Sequence, residues 1–532
     1  MPMPVDLTAA PRPTSRASHI PNAMEKDSLP TSLVRAPDGQ LSAWDIRDSI
    51  TYFPTELLLM IFKNVFIQSR VNVPLETRIL FRSDYKGVYP PDTDQAEREK
   101  LYIRRTAWKK VDDLGAHNFF PYSLSDVCPR WHAILGAWGV PELWTRLVIN
   151  IGHDATPILH VRSYLVWSKD LPLDVTILRR EGYEGDDHCE GARVATVMRL
   201  LLPHLRRIVT LNVNVIDSAS LPAMGTQLHG VADRLEKIAF SSRMDSGKNR
   251  PRITADAALV APGLTHLTLD GDNFRVMAAS NYQWTENFPQ MQKRGHLTIA
   301  DYARRDDGLT LSEMAMELRY NCHAPYLTLR NVTFAPLSVA SLREPRIELI
   351  LSSCHLIDLT AGTLVDFFRV ITLSIESLDV VTCSLPGVLP GNHVLYDSYF
   401  MTLERTEGDI LELLAGGRTH SLTVKDCPSF DDGLLEEMTE DSILENLVSL
   451  SVTRCPNVSS GALRKLVEAR QAAAALSAQK YPDFKNHELE VSALDEVVFD
   501  GNIADEDQQF FKGNHRFSGS KCYTFEVPNS DL

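Results

Sequence analysis

Ser421-Leu-Thr-Val-Lys-Asp-Cys-Pro-Ser-Phe-Asp-Asp-Gly-Leu-Leu435 and Ser449-Leu-Ser-Val-Thr-Arg-Cys-Pro-Asn-Val-Ser-Ser-Gly-Ala-Leu463 are two copies of one pattern. Leu422 matches Leu450, Val424 matches Val452 and Cys427 matches Cys455. Pro428 with Pro456, Gly433 with Gly461 and Leu435 with Leu463 follow, always 28 positions apart. A fixed period marks a repeat architecture, because a unit this short cannot bury both its faces and needs neighbours stacked on it. The Leu-x-Val run predicts a short strand with Leu422 and Val424 pointing inward, and the Cys427 thiol packed where the chain turns. Gly433 then opens a connection to Leu435 and Met438, on a helix covering the next gap.

Aliphatic runs of the same kind occur at Leu211, Ile238, Leu267, Leu327, Leu349, Leu378 and Val497. Their intervals include 27 (211 to 238), 29 (238 to 267) and 29 (349 to 378). The gap from 267 to 327 holds two turns if Leu297-Thr-Ile is a strand. The intervals of 44 (378 to 422) and 47 (450 to 497) predict turns with longer outer connections. A doubly wound α/β enzyme also alternates strands and helices. It predicts irregular spacing and a Gly-rich phosphate turn, yet the chain has neither Gly-x-Gly-x-x-Gly nor a Gly-Lys-Ser/Thr. The unit resembles the cysteine-containing leucine-rich repeat. That resemblance implies an α/β fold for residues 150–500: a right-handed solenoid with a parallel sheet.

A second pattern lies upstream. In Phe53-Pro-Thr-Glu-Leu-Leu-Leu-Met-Ile-Phe-Lys-Asn-Val65, Pro54 suits the first helical position and Glu56 sits where the helix dipole favours a carboxylate. Leu57, Leu58, Ile61, Phe62 and Val65 recur at helical spacing as one apolar face. Leu124, Val127, Cys128, Trp131, Ile134 and Leu135 form another face. Pro129 divides it into two short helices meeting near Cys128, and Pro141, Leu143 and Trp144 follow as a short apolar element. This succession resembles the F-box: Pro-x-Glu-Leu-Leu-x-x-Ile-Phe, then Leu-Ser-x-Val-Cys-x-x-Trp, then Leu-Trp. It departs from that family in an insert at about 67–121, which includes Tyr89-Pro90-Pro91 and a charged run from Gln95 to Arg105 readable as a solvated helix. A longer surface loop costs little closure entropy. Leu171-Pro-Leu-Asp174 and Leu202-Pro-His-Leu-Arg-Arg207 extend the likeness, to the fungal F-box-like group, through about residue 215. The resemblance implies a small all-α box at 46–149 that offers Pro54, Leu57, Leu58, Ile61, Phe62, Leu124, Val127 and Trp131 to a Skp-family adaptor and, through it, a cullin. The repeats would hold an unidentified target protein.

Composition narrows the field. The chain of 532 residues carries a net charge of −15, which opposes binding to a phosphate backbone, and no nucleic-acid partner is expected. Eight cysteines without a Cys-x-x-Cys pair read as reduced, buried side chains. No secretory signal or run of ~20 apolar residues is visible, so the expected compartment is cytoplasm or nucleus, with no membrane partner. Residues 1–45 read as disordered, being rich in Pro, Ser, Thr and Ala without periodicity. Residues 501–532 read as a polar tail ending in Tyr523-Thr-Phe-Glu-Val, a possible last strand.

No catalytic cluster stands out. His188-Cys189, Cys322-His323 and Cys354-His355 are adjacent pairs in separate units, whereas a structural zinc needs four converging ligands. They read as core cysteines beside surface histidines, and no metal or other cofactor is expected. No Gly-x-Ser-x-Gly elbow is present. Asp245-Ser-Gly-Lys248 reads as an ordinary turn. Side chains alternating with the inward ones should face outward along the sheet: Thr268, Asp270, Thr328, Arg330, Asp379, Thr423, Lys425, Ser451 and Thr453. Asp270, Arg330, Asp379, Lys425 and Thr453 are the candidate target contacts. Two functions fit these features. One is a substrate receptor of a Skp–cullin–F-box ubiquitin ligase, as the resemblance implies, which itself does no covalent chemistry. The other is a leucine-rich scaffold with a degenerate box, acting outside ubiquitin transfer.

Overall fold

The structure is a computed structural model that describes residues 53–71, 122–125, 127–137, 140–152, 155–179, 189–244, 258–279, 283–303, 308–335, 337, 345–389, 395–440, 443–480, 491–513 and 523–526. The expected disordered segment 1–45, most of the 67–121 insert and Asp245–Lys248 lie outside the described residues. The chain divides between Leu58 and Leu59, within a helix spanning Thr55–Val71.

An α/β fold dominates the second unit. Its 14-stranded sheet takes its strands in chain order: β1 Arg146–Asn150, β2 Leu173–Leu178, β3 Ile208–Asp217, β4 Lys237–Met244 and β5 His266–Leu269. Then come β6 His296–Tyr302, β7 Tyr326–Val332, β8 Ile347–Ile357, β9 Ile371–Val381 and β10 Tyr396–Glu404. β11 Gly417–Lys425, β12 Ser449–Thr453, β13 Glu496–Phe499 and β14 Tyr523–Glu526 complete it. β1 to β13 are parallel, and β14 pairs antiparallel with β13, which makes Tyr523–Glu526 the last strand. The first strand begins before residue 150, so the sheet takes in the end of the segment expected to belong to the box.

Register explains the strand sequences. One inward column runs Leu147, Val175, Leu211, Ile238, Leu267, Leu297, Leu327, Cys354, Leu378, Met401, Leu422, Leu450, Val497. All of these side chains are buried, as is every residue two positions further along each strand, from Ile149 to Phe499. Period-2 alternation with the same phase in each strand lets apolar side chains stack along the sheet without a gap.

Two intervals read from the sequence are corrected by this register. Leu327 pairs with Cys354, not Leu349, so the interval of 29 from 349 to 378 joined residues out of phase. Leu349 lies in an N-terminal extension of β8 and pairs with Leu373. The interval of 44 is not one long connection. It contains β10, whose Met401 pairs with both Leu378 and Leu422. Aromatic and polar residues in Tyr396-Asp-Ser-Tyr-Phe400 hide this strand from a search for Leu-x-Leu. The interval of 47 is a single connection, since Leu450 pairs directly with Val497. It holds the Ser460–Lys480 helix. There buried Arg470 donates to the carbonyls of Ile443, Leu444 (2.8 Å) and Glu445 (3.3 Å), and burial pulls its guanidinium down to about 10.

The corner after each strand is equally regular. Asp301, Asn331, Asp358, Thr382, Arg405, Asp426 and Arg454 all adopt φ of 48–54°, each four residues past its strand's first inward side chain. A left-handed conformation costs an L-residue roughly 1–2 kcal/mol. Here the corner N–H is satisfied by the next unit, by a strand carbonyl at Asp358, Thr382, Arg405 and Asp426 and by the Asp500 carboxylate (2.8 Å) at Arg454. Thr382 N donates to Glu404 O (2.8 Å), Arg405 N to Lys425 O (2.9 Å) and Asp426 N to Thr453 O (3.0 Å). One residue later Cys383, Thr406, Cys427 and Cys455 turn inward and are buried. The Cys427 thiol lies 3.2 Å from Thr406 Oγ1 and donates to Lys425 O at 3.2 Å. Successive units are also tied by Asn457 Nδ2 donating to Pro428 O (2.7 Å) and Ser459 N to Asp432 Oδ1 (2.7 Å).

Candidate functional site

Two surfaces carry the residues singled out in the sequence. On the Thr55–Val71 helix, Pro54 stands one position earlier than expected. It caps the helix, with its carbonyl accepting from Leu58 N at 3.1 Å, and lies outside the first helical turn. The single apolar face expected there divides in two. Leu58 and Phe62 are buried and Val65 is half-buried, whereas Leu57, Met60 and Ile61 are 39%, 55% and 44% exposed. Phe62 packs edge-on against Trp131, with ring centroids 5.0 Å apart.

Pro129 opens the helix Pro129–Ala137, after a turn of helix at Tyr122–Ser125. Ile134 and Leu135 are buried, Leu124, Cys128 and Trp131 are half-buried, and Val127 is 56% exposed. Trp144 anchors the group: its indole N–H donates to Leu135 O (2.9 Å), and its ring stacks on Tyr164 of the Ile158–Trp167 helix at 4.8 Å. The helix beside β1 is thereby held to the sheet through the third motif, Leu143-Trp144.

The outward face of the sheet is built from three ranks in register. The middle rank lies between the two buried columns and reads Thr176, Asn212, Ala239, Thr268, Thr298, Thr328, His355, Asp379, Thr402, Thr423, Ser451. It is mostly polar, with Ala239 the exception, and partly exposed except at Thr176, which is buried. At its centre His355 Nδ1 lies 2.7 Å from Asp379 Oδ2 on the neighbouring strand. Burial pushes the Asp379 carboxyl up. Hydrogen bonds from His355 and Thr402, with the charges of His355 and Lys425, outweigh it and hold the carboxyl below its ordinary value.

Of the five candidate target contacts, Asp379, Lys425 and Thr453 lie on the outward face. Lys425 pairs in register with Thr453 and adds its charge to the field at Asp379. Arg330 lies on this face too, in the rank of Lys425 and Thr453, with Nη2 bonded to Asp301 Oδ2 at 3.1 Å. Asp270 is a correction. β5 ends at Leu269, so strand alternation does not extend to Asp270, which is buried and accepts from Asn273 Nδ2 at 2.6 Å. Its own carbonyl accepts from Phe274 N, at the start of the Gly271–Ala279 helix. Cys189 is a second correction: it is exposed and not in the core, at the start of the Glu190–Leu201 helix.

Sequence reasoning omitted the third outward rank, the residue just before each strand's first inward side chain. It holds His266, His296 and Tyr326, whose rings stack at 4.6 and 4.3 Å with interplanar angles of 4° and 9°, then Ser353, Ser377 and Phe400. Partial burial of the His266 ring within the stack pulls its imidazole down to about 4, although the residue as a whole is exposed, and the charges of His296, Lys237 and Arg294 reinforce the shift. The signal was in the repeat itself, since Ser421 and Ser449 precede Leu422 and Leu450 and share the outward phase. Tyr399 and Phe400 (54% and 45% exposed) and Ile350 (78%) add the large apolar side chains of this face.

Compared with known proteins, the sequence matches no family model and no curated protein.

Proposed function

We propose that the chain is a substrate receptor of a Skp–cullin–F-box type ubiquitin ligase, with an F-box-like segment followed by a right-handed leucine-rich-repeat solenoid. The observation that carries the reading is the ordered triplet of box motifs joined to a repeat region. Its first helix pairs a buried Phe62 with Trp131 of the second motif while leaving Leu57, Met60 and Ile61 in solvent. Apolar side chains kept exposed on one helix are a liability unless a partner covers them. The repeat region supports the other half of the role. Its inward side chains fill the core, and its outward ranks are mostly polar and partly exposed, a surface that a target could meet. Such a receptor raises the effective concentration of a target near a conjugating enzyme carried by other subunits.

The test is co-elution of the purified full-length chain with a Skp-family adaptor in size-exclusion chromatography. A stoichiometric complex is expected. Failure to co-elute at micromolar concentrations would favour the leucine-rich scaffold with a degenerate box, for which the insert at 67–121 speaks.

A further inference from the structure

The outward face carries a three-residue hydrogen-bond chain in which Ser353 is buried (7% exposed) and His355 and Asp379 are half-buried. Ser353 Oγ lies 3.0 Å from His355 Nε2, and His355 Nδ1 lies 2.7 Å from Asp379 Oδ2. Strand geometry produces the arrangement. Ser353 and His355 are two apart on β8 and so share a face, while Asp379 of β9 stands directly opposite His355 in register. A carboxylate accepting from Nδ1–H leaves the lone pair on Nε2, the nitrogen that faces the serine hydroxyl. Asp379 is in turn held by a hydrogen bond from Thr402. Nucleophile, base and orienting group are therefore in the order and contact that hydroxyl activation requires.

The surroundings define what would fit. In the rank of Ser353 the neighbours read Tyr326, Ser353, Ser377, Phe400. Two small side chains thus lie between two aromatic ones, three strand spacings or about 14 Å apart at the backbone. The floor of this trough is Ser353 with Ser377, and His355 with Asp379 lie beside it along the strands. A flat or short apolar acyl group suits such a trough.

We propose that Ser353 is an activated nucleophile that takes an acyl group from activated esters of small apolar or aromatic acids. Its oxygen attacks the ester carbonyl as its proton passes to His355 Nε2. The resulting imidazolium stays paired with Asp379. The C–O bond to the leaving alcohol breaks, and that alkoxide takes the proton back from His355. The products are acyl-Ser353 and free alcohol, and water attacking by the same route would regenerate the serine and release the acid. The backbone N–H of Ser353 is committed to Pro325 O at 3.1 Å, so it does not serve a tetrahedral adduct. One missing oxyanion donor lowers a rate by roughly 10²–10³. The chemistry is accordingly acylation of activated esters with slow release.

The experiment uses the full chain with p-nitrophenyl acetate. The expected result is a burst of p-nitrophenolate approaching one equivalent, then a slow steady phase, with the acetyl group located on Ser353 by peptide mass spectrometry. S353A should abolish the burst. H355Q should slow it by ~10²-fold or more, the usual worth of a general base. Asp379 is a positioning residue: D379N should slow the burst and D379E should recover part of the rate, each with wild-type melting. Acetylation of lysines without Ser353 in the wild-type protein would overturn the proposal, whether or not any variant folds. So would a burst unchanged in a folded H355Q. Neither outcome bears on adaptor binding.

Discussion

Replacing Cys427 by Asp tests the packing of the repeat at its most constrained point. The side chain is fully buried, and its sulfur lies 3.2 Å from Lys425 O, 3.7 Å from Leu403 O and 3.2 Å from Thr406 Oγ1. Two of these three neighbours are carbonyl oxygens, which suit a thiol donor and repel a carboxylate. Only the Thr406 hydroxyl could donate to the new group. A buried carboxylate with one neutral donor should cost at least ~3 kcal/mol at pH 7. Serine keeps a donor toward Lys425 O and should cost about 1–2 kcal/mol. The pH dependence has a definite sign. An unfolded Asp titrates near ~3.9, and burial raises the folded value above it, so the protonated form favours folding. The deficit of C427D relative to wild type should therefore shrink as pH falls from 7 toward 4.5, by up to ~1.4 kcal/mol per unit below the raised folded value. Urea melts at both pH values measure it. Hydrogen exchange should show protection lost across β11 to β13 and kept in β1 to β3, because stacked units couple to their neighbours. A C427D protein within ~1 kcal/mol of wild type, or a deficit independent of pH, would refute the placement of this side chain.

Three further outcomes are expected. L57D with I61D should abolish adaptor binding with little change in melting, since both side chains are exposed, whereas F62D should unfold the helix region because Phe62 is fully buried. Pull-down and circular dichroism distinguish the cases. Among the described cysteines, native thiol labelling with a bulky maleimide at pH 7 should reach exposed Cys189 first and half-buried Cys128 next. Cys383, Cys455 and Cys322, whose thiols burial pushes up to about 11, 11 and 12, should remain unlabelled; prompt labelling of all of them would contradict the core. Titration of His266 by NMR should find the ring neutral down to about pH 4–5, and an unshifted midpoint would mean that neither the His266–His296–Tyr326 stack nor the charges of His296, Lys237 and Arg294 act on the ring.

The strands were legible at most places where Leu, Ile or Val occupied both inward positions, as in Leu211-x-Val213, Leu267-x-Leu269 and Leu422-x-Val424, but Leu147-x-Ile149, with the same chemistry, lay in the segment read as all-helical. Ile238-x-Phe240 was legible too, because phenylalanine fills the same space. Met401-x-Leu403 was not, because methionine packs like leucine but does not read as β-forming, and because Tyr399 and Phe400 beside it break the alternation. Cys354 was passed over for Leu349 for a related reason: both are buried on β8, and only pairing with Leu327 shows which is in phase. Asp270 shows the converse error. Alternation was carried one residue beyond the end of a four-residue strand, into the start of a helix. Helices stand at Thr55–Val71 and Pro129–Ala137, where periodicity placed them, with Pro129 opening the second. Periodicity cannot say which part of an apolar face meets solvent, and Leu57 and Leu58 fall on opposite sides of that division.

Shortened connections explain why the most distinctive outward chemistry lies where it does. From Leu327 the inward column advances by 27, 24, 23 and 21 residues to Cys354, Leu378, Met401 and Leu422, then returns to 28 at Leu450. Over the same interval the strands lengthen: β8 and β9 have 11 residues, and β10 and β11 have 9, against 4 in β5 and 5 in β12. Residues removed from the outer connections are thus matched by residues added to the N-terminal ends of the strands. The added segments still bury Leu349, Leu373 and Ile375, which keeps them in the sheet. Their outward side chains have no counterpart in the shorter strands. Ile350 and Tyr399 extend the exposed face beside Ser353, His355 and Asp379. A ligand bound across β8 to β11 would therefore meet apolar surface at one end of the strands and the His355–Asp379 pair further along. On this geometry, I350D with Y399D should weaken binding of a target held there while leaving the His355–Asp379 contact and the melting temperature unchanged. Undiminished target binding by that folded variant would move the contact surface to the other end of the strands, where Lys425 and Thr453 lie.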